Sequence, residues 1–202
     1  MHQQRWTEAC EVLIQTTSGP KIYTLIEERD QAWLYRSRMG EPRFASADVP
    51  FAVEPPRDSV RDFPVQVGDE TLTVTALWVG NPQCVVFVSD RLNEETFLRW
   101  GAALERHRRF PERTNVSFVQ VTGPNEISIQ IYERGVGPTL SSGTGSCGAA
   151  LASLLTGKVS SPVLVRTQTG AQTVEWRPGQ EILLTGWAKY IGRIEFLWRQ
   201  RD

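Results

Sequence analysis

A pair of opposite charges and two glycine-rich turns stand close together in the second half of the chain. Glu133 and Arg134 follow a strand-like run and precede a turn with Gly135 and Gly137, and residues 141–145 (Ser-Ser-Gly-Thr-Gly) then open an Ala/Leu-rich segment. Small residues let backbone N–H groups approach a ligand closely, and the N-terminus of a helix attracts anions. The arrangement suits recognition of a zwitterion such as an amino acid, although Ser and Thr are also the usual N-caps of a helix.

A third turn, at residues 80–83 (Gly-Asn-Pro-Gln), joins two strand-like runs. It places the side chain of Asn81 at the end of a sheet, where the amide can bind a ligand or hydrogen-bond its own backbone. Both interpretations stay open at this point. His107 lies in a run of arginines, which favours a surface role over a catalytic one.

The composition is that of an ordinary globular protein, with 202 residues, 40% hydrophobic residues and a net charge of −1. This charge predicts no nucleic-acid partner, and no run approaches the roughly 20 apolar residues of a membrane span. The N-terminal residues do not resemble a signal peptide, so we expect a soluble, cytoplasmic protein. Cys10, Cys84 and Cys147 lack metal-like spacing and are expected to be free thiols. With His2 and His107 as the only histidines, a His-rich metal site is excluded, and we predict no metal.

Strands dominate the elements that must position these residues. In chain order, strands are predicted at 11–17, 21–27, 31–36, 62–67, 70–79, 84–88, 115–121, 127–132, 163–167, 171–176, 181–186 and 188–198. The first three read as a meander, and Gly68-Asp69 is a strong hairpin turn. Residues 45–62, punctuated by prolines, predict a surface connection.

Two segments predict helices. Residues 93–108 carry apolar side chains at helical spacing, with Asn93 as the N-cap. The apolar segment 149–155 predicts a helix that many strands should bury on several sides. We therefore predict an α+β fold in which a mostly antiparallel sheet wraps around a central helix at about residues 142–156.

Five ordered motifs resemble those of the diaminopimelate epimerases, cofactor-independent isomerases of lysine and cell-wall precursor synthesis. The motifs are Met-Gly-Glu-Pro-Arg-Phe at 39–44, Gly-Asn-Pro-Gln-Cys at 80–84, Glu-Arg-His at 105–107 with Phe-Pro-Glu-Arg-Thr-Asn at 110–115, Glu-Arg-Gly-Val-Gly at 133–137 and Ser-Gly-Thr-Gly at 142–145. Several motifs at family-like spacing are far more specific than one glycine-rich turn. Members of the family have two similar lobes with the substrate between them, and this chain resembles only the second lobe.

The resemblance implies that residues 1–202 form one lobe with a core at about 19–187. Residues 1–18 and 188–202 resemble the strands that would join the absent N-terminal lobe. The implied partner is a small, amino-acid-like substrate, with neither nucleic acid nor membrane. The implied protein partner is either a second copy in a homodimer or a separate N-terminal lobe.

The resemblance also implies roles for individual residues. The substrate-binding positions are Asn81, Asn115, Glu133, Arg134, Gly143 and Thr144. The two asparagines would hydrogen-bond the polar ends of the substrate, and the charged pair would position its amino and carboxylate groups. Backbone N–H groups at the start of the helix would hold a carboxylate.

The catalytic position departs from the family pattern. Family members use two cysteines on opposite faces of the substrate α-carbon, one as thiolate base and one as thiol acid, and a thiol pKa of about 8.5 suits both roles. One cysteine belongs to the absent lobe, and the position of the other is occupied here by Ser142. A serine hydroxyl is a much weaker acid. The family's histidine after Asn-Pro is also replaced, by Gln83.

The sequence thus predicts a diaminopimelate epimerase-like protein, whose reaction is the interconversion of LL- and meso-diaminopimelate by two-base proton transfer. This chain is expected to be impaired or inactive alone. One alternative is a catalytically silent amino-acid-binding or regulatory relative. Another is a related isomerase of the proline racemase or phenazine type.

Overall fold

The computed structural model describes residues 10–16, 19–192 and 195. Its strands, in chain order, are β1 (Glu11–Thr16), β2 (Gly19–Arg29), β3 (Ala32–Arg38), β4 (Val60–Val67), β5 (Glu70–Trp78), β6 (Pro82–Phe87), β7 (Asn115–Gly123), β8 (Glu126–Glu133), β9 (Gly137–Thr139), β10 (Val163–Thr167), β11 (Gly170–Glu175) and β12 (Leu183–Lys189). The helices of this part of the chain are α1 (Glu94–Glu105) and α2 (Gly143–Leu155). Much of the two predicted joining segments, 1–18 and 188–202, lies outside the described residues.

The described strands form one sheet in the order β1-β2-β3-β12-β11-β10-β8-β7-β6-β5-β4, with β9 paired to β8. The pairs β6–β7 and β8–β10 are parallel. The other pairs are antiparallel, including the predicted meander of β1, β2 and β3 and the β4–β5 hairpin. The α+β class with a mostly antiparallel sheet is confirmed.

The sheet curves around α2, whose residues 145–153 are buried. Aliphatic side chains from seven strands pack in the same core: Leu77, Val85, Val119, Ile129, Val165, Val174 and Leu184. A helix that is apolar on all sides is stable in water only when other elements enclose it. The predicted central helix is confirmed.

A second core lies on the other face of the central strands, against α1. Side chains alternate between the two faces along a strand. In β6, Cys84 and Val86 therefore belong to the α1 core, whereas Val85 belongs to the α2 core. The strands of the candidate site are thus packed on both faces.

The segment between β3 and β4 was predicted as a surface connection, and for part of it the prediction is wrong. Val49 is fully buried and Phe51 is 4% exposed. The ring of Phe51 makes edge-to-face contacts with Phe63 and Phe110, with centroids 5.1 Å apart in each pair. The segment closes the α1 core because burying these apolar side chains removes a large area from water.

Two predicted strands near the C-terminus, 181–186 and 188–198, are in fact one strand as far as the structure describes them. β12 continues through Gly186, which pairs with Tyr35 of β3. Glycine does not form a turn here; a Cβ at this position would lie 3.6 Å from the side chain of Gln172 in β11. The end of the second predicted strand lies outside the described residues.

Helix α1 begins as predicted and ends earlier. Asn93 is its N-cap, and Asn93 Oδ1 accepts a hydrogen bond from the backbone N–H of Thr96 at 2.8 Å. The helix ends at Glu105 rather than at residue 108. The next residues form a turn in which the N–H of Phe110 donates to the carbonyl of His107, and this turn carries the Phe110 ring into the α1 core.

Gly101 of α1 lies so close to Tyr132 of β8 that a Cβ would stand 2.6 Å from Cδ2 of the ring. We expect Gly101→Ala to lower the free energy of unfolding by about 1–3 kcal/mol through overpacking. This loss should occur although alanine is the better helix former by about 1 kcal/mol. Denaturant unfolding measures the change. With Tyr132→Ala as background the same substitution should be neutral or stabilising, and equal losses in both backgrounds would contradict this explanation.

Candidate functional site

The turns singled out in the sequence meet at one end of the sheet. Parallel strands β6 and β7 start side by side, with Gln83 opposite Asn115. Strand β8 runs antiparallel to β7 and ends at the same place, with Tyr132 opposite Val116. The segments that precede β6, precede β7 and follow β8 therefore converge.

Helix α2 begins at this same end of the sheet. A Cβ on Gly145 would lie 3.5 Å from Cγ2 of Ile131 in β8, and a Cβ on Gly148 would lie 2.8 Å from Cγ of Gln83 in β6. Glycine at these positions allows the first turns of α2 to lie against both strands. The N-terminus of the helix is therefore held beside the converging turns.

Ser142 is the N-cap of α2, with extended backbone angles φ −151° and ψ 128°. Its Oγ accepts a hydrogen bond from the N–H of Gly145 at 3.3 Å, and its carbonyl accepts one from Ser146 at 2.9 Å. The N–H groups of Gly143 and Thr144 belong to the first helical turn, where the helix itself offers no carbonyl partner. Together with the positive end of the helix dipole, these two groups can hold a carboxylate.

Asn81 lies half-buried in the turn between β5 and β6. Its Oδ1 accepts a hydrogen bond from Nε2 of Gln83, at 2.5 Å. Gln83 is 1% exposed, so this amide orients Asn81 from inside the protein and cannot titrate. With its oxygen engaged in this way, the Asn81 amide can offer its N–H groups to a ligand.

Asn115 begins β7 and is 5% exposed. Its Oδ1 accepts a hydrogen bond from the backbone N–H of Arg134 at 2.9 Å. This bond spans 19 residues of sequence and joins the start of β7 to the turn that follows β8. The structure therefore brings Asn115 together with the Glu133-Arg134 pair.

The turn at 133–137 closes locally through a hydrogen bond from the N–H of Val136 to the carbonyl of Glu133, at 3.1 Å. Gly135 and Gly137 have φ values of +74° and +96°. Positive φ is strained for residues with a Cβ, so this turn requires glycine at both positions. The predicted glycine-rich turn is confirmed, with the charged pair at its start.

The charged side chains of this turn differ in environment. Arg134 is exposed, and its Nη1 donates to the carbonyl oxygen of Glu112 at 3.1 Å. A guanidinium has five N–H donors, so this contact leaves others for a carboxylate. Glu133 is half-buried and carries the carboxylate suited to an ammonium group.

Glu105 had no predicted role, and the structure places it beside the 133–137 turn. Its carboxylate, 2% exposed, accepts a hydrogen bond from the backbone of the 133–137 turn. The signal in the sequence was the Glu-Arg-His motif at 105–107, to which no role was given. In the structure Glu105 ends α1, where an acidic residue opposes the helix dipole. A residue in that unfavourable position needs another reason for being there.

Neither buried cysteine offers a thiolate near neutral pH. Cys84 lies in the α1 core, on the face of the sheet opposite α2. Cys147 lies inside the α2 core. Burial raises the pKa of both thiols, and that of Cys147 reaches about 12. Both thiols therefore stay protonated near neutral pH.

A cavity of about 470 Å³ lies at the other end of the sheet, beyond the end of β6, and Val88, Arg91 and Trp100 are among the residues that line it. The predicted site residues are not part of its lining. Among the described residues, no group of His, Cys, Asp and Glu could hold a metal ion. Neither helix in the described part of the chain is long and apolar enough to cross a membrane.

Two solved structures resemble the fold. A probable proline racemase from Agrobacterium radiobacter, solved with bound carbonate, has a TM-score of 0.60 at 15% sequence identity, covering 92% of this chain and 62% of that one. A hydroxyproline epimerase from Agrobacterium vitis, solved with trans-4-hydroxy-L-proline, has a TM-score of 0.60 at 17% identity, covering 91% and 60%. At these identities the likeness shows the fold alone, an α+β fold like that of these two proteins.

Sequence comparisons are more specific. The family model described as diaminopimelate epimerase matches residues 75–191. The diaminopimelate epimerase of Pelotomaculum thermopropionicum is 35% identical over 199 residues, which cover 98% of this chain and 70% of that protein. That of Desulforudis audaxviator is 43% identical over 70% of this chain and 50% of its own length. The chain thus spans between half and 70% of the length of these two relatives.

The family model matches more than half of the chain, and the Pelotomaculum thermopropionicum relative is 35% identical over 98% of it. The chain therefore belongs to the diaminopimelate epimerase family.

Proposed function

We propose that this chain is the substrate-binding lobe of a diaminopimelate epimerase. The observation that carries the proposal is the convergence of the 133–137 turn, Asn115 and the N-terminus of α2 at one end of the sheet. Residues 1–202 form one lobe with a core at about 19–187, and the terminal segments join it to a second lobe. In the complete assembly, LL- and meso-diaminopimelate interconvert without a cofactor, as a cytoplasmic step of lysine biosynthesis.

Binding divides between the two glycine-rich turns. The backbone N–H groups of Gly143 and Thr144 hold the α-carboxylate at the positive end of α2. Arg134 adds a charge-assisted hydrogen bond to a carboxylate, and Glu133 pairs with the α-ammonium group. The amides of Asn81 and Asn115 donate to the polar groups that remain.

Proton transfer is the part of the reaction that this chain does not complete. An α-carbon proton has to be taken by a base on one face while an acid delivers a proton to the other face. Ser142 stands at the position of one family cysteine, and the hydrogen bond that Oγ makes comes from the N–H of Gly145. That N–H is a donor and accepts no proton, so it does not make the hydroxyl a base.

Deuterium exchange at the α-carbon of meso-diaminopimelate in heavy water tests this division. We expect binding by calorimetry and no exchange by the chain alone, as followed by proton NMR. Adding the part of the Pelotomaculum thermopropionicum relative that this chain does not match, together with Ser142→Cys, should raise the exchange rate by about 10²–10⁴-fold, the usual contribution of a positioned acid or base.

Ser142→Ala in the same assembly is the matched control and should give no exchange. If the Ser142→Cys assembly binds diaminopimelate but stays silent, the chain is the catalytically silent amino-acid-binding relative. If neither the isolated chain nor the Ser142→Cys assembly binds diaminopimelate and both bind proline, the substrate is of the proline racemase type and not diaminopimelate.

Arg134→Ala should weaken binding of meso-diaminopimelate by about 1–3 kcal/mol, because it removes a charge-assisted hydrogen bond to a carboxylate. Calorimetry at constant ionic strength measures the change. Arg91→Ala makes the same change in net charge at the opposite end of the sheet and should leave the affinity within about twofold. Equal effects of the two substitutions would show that Arg134 acts only through net charge.

The proposed assembly also includes a partner for one part of the sheet, the arm formed by β1, β2, β3 and β12. Of the strands that the structure describes, β1 lies at the edge of this arm. Large apolar side chains on the arm or just after it are exposed to solvent: Leu13, Ile14, Ile26, Trp187 and Ile191. Exposed apolar side chains near an edge strand favour association. A separate N-terminal lobe covers this arm in the complete assembly, and a second copy covers it in the isolated chain.

Light scattering should therefore give the mass of a homodimer for the isolated chain. Trp187→Ser should shift the equilibrium toward the monomer by about 1–2 kcal/mol per protomer, because it removes apolar area from the interface. Val121→Ser changes an exposed apolar side chain of β7, away from the arm, and should have no such effect. A monomer at micromolar concentration would contradict the homodimer.

A further inference from the structure

Glu105 is a buried carboxylate in a place where a carboxylate is costly. It is 2% exposed and ends α1, where the negative end of the helix dipole disfavours it. Its Oε2 accepts a hydrogen bond from Nε of Arg106 at 2.8 Å, and Nη1 of Arg113 lies 3.8 Å from Oε1. The two guanidinium groups offset the buried charge. They do not explain why the charge is buried at all.

The remaining contact of the carboxylate gives that explanation. Oε1 of Glu105 accepts a hydrogen bond from the backbone N–H of Gly135 at 3.1 Å. The preceding N–H of the turn, that of Arg134, donates to Asn115 Oδ1 at 2.9 Å. Two successive N–H groups of the 133–137 turn are thus held from outside the turn by side chains.

The two acceptors are themselves tied together. The backbone carbonyl of Glu105 accepts a hydrogen bond from the N–H of Thr114, the residue before Asn115. The end of α1 and the start of β7 therefore form one rigid support beneath the turn. The direction in which Glu133 projects depends on this support, because Glu133 directly precedes the two anchored N–H groups.

We propose that Glu105 is a positioning residue: it anchors the 133–137 turn so that the Glu133 carboxylate meets the ammonium group of an amino-acid substrate. The inference rests on the proposed function. Glu105 itself does not contact the substrate. By anchoring the turn, it increases the selectivity for ligands that carry the ammonium group.

The test compares two ligands that share their carboxylates and differ in their ammonium groups. Calorimetry gives the affinities of the full chain for meso-diaminopimelate and for pimelate, the same seven-carbon dicarboxylate without amino groups. The ratio of the two affinities is the readout. Incomplete folding lowers both affinities by the same factor and leaves the ratio unchanged. Glu133→Gln calibrates the readout and should remove most of the preference for diaminopimelate.

Two conservative variants separate the reach of the side chain from its charge. Glu105→Gln keeps an acceptor oxygen at the same distance and should keep the preference within about threefold. Glu105→Asp keeps the charge but is shorter by one carbon–carbon bond, about 1.5 Å, and loses the Gly135 hydrogen bond. It should lower the preference about tenfold, the effect of one hydrogen bond.

The inference would be overturned if Glu105→Asp prefers meso-diaminopimelate over pimelate as strongly as the wild type does. It would also be overturned if the variants lose affinity for both ligands by the same factor, in proportion to the fall in melting temperature. Should Glu105→Asp not fold, amide hydrogen exchange of Gly135 in the wild-type chain decides: protection supports the anchor, and exchange at the rate of an open peptide rules it out. A wild-type chain with no preference for diaminopimelate refutes the proposed function and, with it, this inference. That outcome is visible before any Glu105 variant is made.

Discussion

The close approach of α2 to strands β6 and β8 is the contact on which the rest of the site depends. Gly148 leaves room for the side chain of Gln83, and Gly145 leaves room for Ile131. A Cβ at residue 148 would already require a shift, because the nearest side-chain atom would be only 2.8 Å away. The position of the helix axis sets where its first N–H groups point. An anion can therefore meet both α2 and the neighbouring turns only while this packing is kept.

The two cores reach the site from opposite faces of the same strands. The α2 core supplies the helix N-terminus, and the α1 core supplies the support for the 133–137 turn through Glu105. Asn115, at the start of β7, lies between them and bonds to the turn. A change in the packing of either helix can therefore alter the geometry of the candidate site without replacing any of its side chains.

In the proposed function, binding and proton transfer place different demands on this chain. The proposed carboxylate site uses backbone N–H groups and helix geometry, which a serine at the N-cap supports well. The proposed proton transfer needs an acid or a base on each face of the substrate α-carbon, and the hydroxyl of Ser142 is too weak an acid for that role. Under this proposal Ser142 keeps the cap of the helix but does not transfer the proton. The structural likeness to a racemase and an epimerase shows the fold alone and does not bear on this difference.

Features with short-range causes could be predicted from the sequence alone. The N-cap Asn93 and the glycine-rich turn at 133–137 are confirmed, and the Ser/Thr cluster at 141–144 does supply a helix cap, at Ser142, because capping and turn conformation involve atoms a few residues apart. The tertiary structure alone decided that Gly186 continues a strand and that Glu105 belongs to the site. Gly186 pairs with a strand from the other end of the chain, and Glu105 meets Gly135 across 30 residues. Local preferences say nothing about such partners, since burial and pairing depend on which distant segments the fold brings into contact.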